Sequence, residues 1–263
     1  HRWMGRVYVL ACVVGGLAGG SIALSSTAGP IAGWGFFLLA VFWVPFTLMA
    51  LVAGVILAGG WVLFMRARIA SAPDRVLAGL DLDPVVAEER PRLANLLEGL
   101  CMTSGVAAPE VFLVESPAMN ALVVAGRGGS RLVLTTGLVE RLGRLEMEGV
   151  IANLLGRVRD GSAHYSTTVL GLFGDSARAD ALLSRHLGDQ RAVMSDMAAV
   201  DLTRYPPGLM AALSTMSDAG TVVDGVPPLS APLWLAPVGK QGADGVDPVG
   251  TQPLSLRIAV LAE

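Results

Sequence analysis

Two side chains with polar groups, Asn153 and Arg157, stand four residues apart in the segment EGVIANLLGRVRDGS, which runs from Glu148 to Ser162. This spacing puts both on one face of a predicted helix. A catalytic zinc helix has two histidines at this spacing, with a glutamate beside the first. Asparagine is a poor zinc ligand, Leu154 has no donor atom, and arginine has no lone pair to give. The segment has the residue spacing of a zinc helix but lacks the zinc ligands.

The other residues that could bind a metal or act as a nucleophile do not form a recognisable centre. The three histidines are His1, His164 and His186, and we interpret them as surface or capping residues. Asp196 and Glu146 would bind a metal only weakly without partners. No G-x-S-x-G sequence marks a serine nucleophile, and the glycines of GRGGS indicate a hairpin turn.

The chain after Arg66 predicts an α+β fold in which helices predominate. Apolar runs in PEVFLVES, NALVVAG and RLVLTTG predict three short strands, and the turn RGGS predicts a hairpin between the last two. Apolar residues at helical spacing predict helices on both sides of these strands. We therefore expect a mostly helical domain at 67–263, with a small antiparallel sheet.

The beginning of the chain has the composition of a membrane region. No charged residue or histidine occurs from Val7 to Met65, and only 16% of the whole chain is charged, against about 25% in ordinary soluble domains. A bilayer core takes roughly 20 apolar residues per helix. We predict two transmembrane helices in a membrane region at 1–66, at about 7–27 and 36–65, the second lying within Trp34 to Met65. Pro45 predicts a kink in the second helix.

Arginines flank the apolar region on both sides. Arg2 and Arg6 precede it, Arg66, Arg68 and Arg75 follow it, and the connection between the predicted helices has no charge. Because positive residues favour the cytoplasmic side, we predict a multi-pass protein of the cell membrane with both termini and the soluble domain in the cytoplasm. The net charge of −3 and the lack of a basic block argue against a nucleic-acid partner.

Several short motifs occur in a fixed order along the chain. Asn120 and Ala121 end one segment, TTGL (Thr135–Leu138) ends the next, and the helix with Val150–Ala152 and Gly156 follows. QRAVMSDMAAVDLTRYPPGLMAAL and LWLAPVG…TQPLSLRIAVL come afterwards. Over about Leu93 to Leu261 this order resembles the HtpX-like membrane zinc metallopeptidases, a gluzincin family of the His-Glu-x-x-His type.

The resemblance implies a zinc site whose residues are substituted here. In the family, two histidines and a downstream glutamate bind zinc, and a glutamate beside the first histidine is the general base. The corresponding positions hold Asn153, Arg157, Ala192 and, for the base, Leu154, and a histidine of the last motif corresponds to Gln252. Because all four functional positions differ, we predict that zinc is absent and that the chain is not an active enzyme.

Asp196 matches a carboxylate that supports the zinc site in the family. We predict that the Arg157 guanidinium takes the place of the missing cation and pairs with Asp196, as a charge-assisted hydrogen bond would allow. The alternative is two solvated charges on neighbouring helices.

The function that follows is that of a catalytically inactive homologue, a pseudoprotease. It would be a scaffold, regulator or subunit of a membrane protein complex, in contact with the lipid bilayer and with a membrane-protein partner or paralogue. A peptide could add as a strand to the sheet edge formed by Asn120, Ala121, Leu122, Val123 and Val124.

Two alternatives stay open. One is an active membrane zinc metalloendopeptidase with a non-standard ligand set. The other is a protein that binds a small molecule or lipid in the emptied cleft, for which a large apolar cavity beside Leu154 and Ala192 would be the sign.

Overall fold

The computed structural model describes residues 2–25, 30–85, 90–188, 190–238 and 252–263. The chain divides into two compact units, His1–Arg66 and Ala67–Glu263.

The first unit is helical. It contains α1 (Arg2–Ser25) and most of α2 (Pro30–Ala70), which continues through Pro45. Within the described residues, one helical stretch, Val41–Ala70, is long and apolar enough to cross a membrane. Its apolar side chains are exposed in the fold, as lipid-facing side chains are; Met49, Leu57 and Trp61 are examples.

The prediction of two transmembrane helices is therefore confirmed only in part. The first predicted span, 7–27, overlaps α1, and residues 26 and 27 lie outside the described residues. The apolar part of α1 that the structure describes, Gly5–Gly15, is shorter than a span.

The second unit combines helices with one small sheet. Its helices are α3 (Ala72–Leu77), α4 (Pro91–Ser104), α5 (Thr136–Arg141), α6 (Arg144–Arg159), α7 (Ser162–Phe173), α8 (Ala177–Leu187), α9 (Arg191–Thr203), α10 (Pro206–Ala219) and α11 (Leu254–Leu261). Its strands are β1 (Asp83–Pro84), β2 (Glu110–Val114), β3 (Ala121–Gly126) and β4 (Gly129–Thr135). A single 3₁₀ turn, Ala231–Leu233, precedes Trp234.

The sheet is mixed, so the prediction of an antiparallel sheet is wrong in one respect. The strand order is β1-β2-β4-β3. β3 and β4 form the predicted hairpin, with Gly126 opposite Gly129, but β2 runs parallel to β4. β4 lies beside β2, and β3 lies on the far side of β4. Because β3 runs opposite to both β2 and β4, β4 has the same direction as β2.

The sheet separates two layers of apolar side chains, because successive residues of a strand point to opposite faces. Ala121, Val123 and Ala125 of β3 pack into the core that also contains α4, α6, α10 and α11. Leu122 and Val124 pack into the second core, with α3, α7, α8 and Trp234.

Helix α6 lies in the first core and is buried along most of its length. Its close packing depends on glycine. A Cβ atom at Gly149 would lie 2.8 Å from the Leu209 Cα atom of α10, and one at Gly156 would lie 3.3 Å from Ala198 of α9. Because α6 and α9 approach so closely, the polar side chains on their facing sides meet.

Candidate functional site

A buried polar cluster lies where α6, α9 and α11 meet. Asn153 of α6 and Asp196 of α9 are fully buried, and Arg257 of α11 is 1% exposed. Arg257 donates from Nε to Asp196 Oδ2 and from Nη2 to Asp196 Oδ1, both at 2.7 Å. Asn153 Nδ2 donates to Asp196 Oδ1 at 2.8 Å. Both oxygens of the carboxylate are thus engaged by a two-pronged ion pair and an amide, which compensates for their removal from water.

The predicted ion pair between Arg157 and Asp196 is not formed. Among the described residues Asp196 makes its salt bridge with Arg257, which lies 61 residues away in sequence. The resemblance contained a signal for this partner, since Arg257 is the one basic residue of the otherwise apolar segment LSLRIAVL. A charge in such a helix needs a partner when the helix is buried.

Arg157 donates instead to the main chain. Its Nη1 reaches the Leu233 carbonyl oxygen at 3.1 Å, while its Nε is buried and has no hydrogen-bond partner in the described part of the chain. The pKa of Arg157 is lowered to about 9, chiefly by burial and also by the positive charges of Arg257 and Arg191, while Asp196 and Asp160 act in the opposite direction. The guanidinium therefore lies in a desolvated and positively charged environment.

The segment from Pro232 to Ala236 is held by this group of arginines and by one asparagine. Arg191 Nη2 donates to the Pro232 carbonyl at 3.0 Å, and Arg257 Nη1 donates to the Leu235 carbonyl at 2.6 Å. Asn120 Nδ2 donates to the Ala236 carbonyl at 2.9 Å. The pKa of Arg191 is lowered by its burial, against the attraction of Asp180.

The β3 edge proposed for a peptide is already partly covered by this segment. Leu122 forms an antiparallel bridge with Trp234, and Leu235 N donates to the Ala121 carbonyl at 2.7 Å. Further along, the Ala125 amide donates to Thr167 Oγ1 at 3.2 Å. Within the edge formed by Asn120, Ala121, Leu122, Val123 and Val124, the chain itself therefore pairs with Ala121 and Leu122, and peptide binding along this edge stays a prediction.

The two short motifs of the resemblance meet at the start of β3. Asn120 N donates to Thr135 Oγ1 and Thr135 N donates to the Asn120 carbonyl, at 3.0 and 3.1 Å. The Asn120 amide then joins β3 to the segments at Thr221 and Ala236. Asn120 thus has a structural role that its position in the sequence did not reveal.

A cavity of about 100 Å³ opens beside Arg157. Arg157, Arg191, Asp160 and three serines, Ser162, Ser166 and Ser195, contribute polar groups to its wall, and Val123, Ala163, Ala192, Leu233 and Trp234 are among the residues that contribute apolar ones. The buried Trp234 Nε1 has no partner among the described residues. Leu154 is fully buried and does not line this cavity. Among the described residues, the cavity that Ala192 lines is small and partly polar, so it is not the large apolar cavity considered for a lipid or small molecule.

The remaining candidates lie apart from this cluster or make structural contacts. Gln252 Oε1 accepts from the Val193 amide at 3.1 Å. His186 stacks on Tyr165 with ring centroids 4.2 Å apart, and His164 is exposed. Glu146 accepts from the Gly143 amide at the start of α6. Within the described residues, no three His, Cys, Asp or Glu side chains lie close enough together to hold a metal ion.

The residues at the positions of the implied zinc site do not fit a zinc ion. Asn153 uses its amide nitrogen on Asp196, and both oxygens of Asp196 are engaged. Arg157 brings a positive charge, and Leu154 and Ala192 bring no donor atom. Whether zinc binds elsewhere in the protein stays a matter for metal analysis, and its absence stays a prediction.

The chain has an α+β fold with a small mixed sheet, and within the described residues one helical stretch is long and apolar enough to cross a membrane. The chain is similar to proteins named Protease HtpX homolog: 29% identical to that of Dictyoglomus thermophilum over 56% of this chain and 61% of the relative, and 28% identical to that of Tropheryma whipplei over 56% and 64%. The protein of this name from Levilactobacillus brevis is 25% identical over 83% of this chain and 86% of its own. No protein-family model matches the chain.

These relatives confirm the resemblance to the HtpX-like family. The chain spans about 61% of the length of the first of them. They also correct one prediction. The chain was expected not to be an enzyme, and its relatives are named as proteases, which points to a peptidase. The substitutions at four positions were insufficient ground for that expectation, because they describe one implied ligand set and not the chemistry of the whole protein.

The buried charge of Arg157 leads to a first prediction. Replacing it with methionine is expected to raise the midpoint of thermal unfolding near neutral pH, because a desolvated cation without an ion-pair partner among the described residues opposes folding. The folded-state pKa of about 9 lies well below the ordinary pKa of an arginine, so the unfolded chain binds more protons between these two pKa values. The destabilisation caused by the charged Arg157 is complete below pH 9 and is progressively lost as the pH rises above 9.

The measurement is thermal unfolding of the wild type and of Arg157→Met at pH 7.5, 9 and 10.5. The advantage of the variant should shrink across this series. Arg159→Met, at an exposed position of the same helix, is the control and should differ little from the wild type at each pH. A variant that is less stable than the wild type at pH 7.5 would contradict the prediction.

Proposed function

We propose that this chain is a membrane-anchored protein of peptidase type that binds polypeptide segments at the cavity beside Arg157. The observation that carries the proposal is the convergence on this cavity of α6 and α9, the two helices that contain the motif positions. The name of the relatives, protease, supports polypeptide as the class of substrate. The mixed wall, with arginines and serines beside apolar side chains, suits a peptide, which presents both kinds of group.

The test uses the full chain in detergent and measures binding and cleavage separately. Binding of fluorescently labelled, unfolded casein is followed by anisotropy, and cleavage is followed on gels with and without added zinc. Ser166→Leu fills the cavity from α7 and should weaken binding at least about tenfold, which corresponds to 1.4 kcal/mol. His164→Leu places the same side chain at an exposed position of α7 and should leave binding unchanged.

The proposal fails if the wild type does not bind casein, or if Ser166→Leu and His164→Leu bind it equally well. Unfolding midpoints of both variants, measured in the same buffer, separate loss of binding from loss of fold. Cleavage that requires zinc would support a peptidase with a ligand set outside the cluster at Asp196. Binding without cleavage would support a role as a scaffold, regulator or subunit, with a membrane-protein partner still to be identified.

We also propose that the unit from Ala67 to Glu263 lies on the cytoplasmic side of the membrane. Arg66, Arg68 and Arg75 lie at and after the end of the apolar stretch Val41–Ala70, and positive residues at the end of a span favour the cytoplasm. A reporter active only in the cytoplasm and one active only outside it, each fused after Glu263, test this placement. Activity of the external reporter alone would overturn it.

A further inference from the structure

Arg257 shows how this fold binds a carboxylate. Its Nε and Nη2 atoms hold the two oxygens of Asp196, each at 2.7 Å, and its Nη1 atom donates to the Leu235 carbonyl. The guanidinium is thus used on two sides: one edge pairs with a carboxylate, and the remaining nitrogen holds the segment from Pro232 to Ala236. Edge-on pairing of this kind is a strong arrangement for an arginine and a carboxylate.

Arg157 repeats half of this arrangement. Its Nη1 atom donates to the Leu233 carbonyl, two residues before the carbonyl that Arg257 holds. Its other edge, Nε and Nη2, has no hydrogen-bond partner in the described residues, and Nε is buried. A buried donor without a partner opposes folding, so the fold maintains this edge at the expense of stability. Arg257 has a carboxylate partner, and Arg157 has no such hydrogen-bond partner among the described residues.

The surroundings of Arg157 favour an anion. Arg191 of α9 and Arg257 of α11 add positive charge, and the carboxylate of Asp196 is taken up by Arg257. Asp160, at the exposed end of α6, also lines the cavity, so two arginines and one carboxylate face it. The pKa of Arg157 is lowered mainly by desolvation, and the positive charges of Arg257 and Arg191 add to this effect. The Trp234 Nε1 atom, a further donor without a described partner, belongs to a residue of the same wall.

The cavity has room for a small polar group. Its volume of about 100 Å³ is sufficient for a carboxylate group. The serines of the wall, and Ser166 in particular, which is 5% exposed and makes no described hydrogen bond, provide hydroxyl groups for an oxyanion.

We propose that the Nε–Nη2 edge of Arg157 binds a carboxylate of the polypeptide ligand, in the way that Arg257 binds Asp196. The proposal rests on the proposed function for the nature of the ligand and adds which group of it is recognised. The carboxylate is supplied by the C-terminus of the polypeptide or by an aspartate or glutamate side chain, and the two sources share this chemistry.

The experiment uses three short peptides with an N-terminal fluorescent label and the full chain in detergent at low salt. The first is Ala-Ala-Ala-Leu with a free C-terminal carboxylate, the second is the same peptide as its amide, and the third is Ala-Ala-Asp-Leu amide. Anisotropy titrations compare the wild type, Arg157→Met, Arg157→Lys and the control Arg159→Met. Arg157→Lys keeps the charge but has no planar edge, so it should lose most of the preference for a carboxylate.

We expect the wild type to bind at least one carboxylate peptide about tenfold or more tightly than the plain amide, and Arg157→Met to bind all three equally. Arg159→Met should behave as the wild type does. Preference for the free C-terminus or for the aspartate peptide identifies the source of the carboxylate. Equal binding of all three peptides by the wild type overturns the inference and leaves the proposed polypeptide function standing, and so does a preference that survives in Arg157→Met.

A separate arm covers the case in which no peptide binds. Acetate is then titrated against the unfolding midpoint of the wild type and of Arg157→Met at constant ionic strength. Stabilisation of the wild type alone supports the carboxylate site and counts against polypeptide as the ligand. Equal effects of acetate on both proteins, or none, overturn the carboxylate site as well.

Discussion

Replacing Arg257 with methionine is expected to destabilise the unit Ala67–Glu263 by about 3–5 kcal/mol, the usual cost of removing one partner from a buried ion pair. The Asp196 carboxylate, which is fully buried, would keep only the hydrogen bond from Asn153. The Leu235 carbonyl would lose its donor at the same time. The quantity to measure is the denaturant midpoint of the full chain in detergent, with the slope of the transition as a check that the variant unfolds in the same way.

Two further variants make this prediction specific. Arg178→Met removes an exposed arginine from α8 and should change stability by no more than about 0.5 kcal/mol. Combining Arg257→Met with Asp196→Leu removes both charges, and the double variant should be more stable than Arg257→Met alone. If Arg257→Met matches the wild type, the ion pair does not hold α9 to α11 as the structure indicates.

Replacing Asn120 with alanine is expected to cost about 4 kcal/mol. The Asn120 amide donates to the carbonyls of Thr221 and Ala236 and accepts from the amides of Ala121 and Ala236, at 2.9 to 3.1 Å. Four main-chain groups around a fully buried side chain would each lose a partner, at roughly 1 kcal/mol each. Because two of these groups belong to Ala236, the segment that covers the β3 edge should loosen as well.

Hydrogen exchange of the full chain tests both parts of this second prediction. Protection of the Leu235 and Ala236 amides should fall more in Asn120→Ala than protection of amides in α4. Asn120→Asp should resemble Asn120→Ala, since an ionised aspartate accepts hydrogen bonds but has none to donate to the two carbonyls. Asn95→Ala, at an exposed position of α4, is the matched control and should not be destabilising. Unchanged protection at Leu235 would refute the role assigned to Asn120.

The sequence by itself determined the features that depend on local pattern. The absence of charge from Val7 to Met65 predicted apolar helices, and the stretch Val41–Ala70 has the length and composition of a span. Apolar runs and the turn between them predicted the strands that become β3 and β4, and their hairpin. The order of short motifs indicated the HtpX-like family, which the relatives confirm. Each run, turn and motif consists of neighbouring residues, so it can be detected without knowledge of tertiary contacts.

Only the tertiary structure decided which charges meet. The apolar segment around Arg257 indicated that this arginine needs a partner, but no local pattern showed that Asp196 pairs with Arg257 and not with Arg157. The pairing of Asp196 with Arg257 follows from the packing of α11 against α9, which brings together two residues 61 positions apart in the sequence. The parallel pairing of β2 with β4 and the covering of the β3 edge by Trp234 and Leu235 are decided in the same way. Contacts between distant segments depend on how whole helices and strands pack. The periodicity of one element does not show which other elements it contacts.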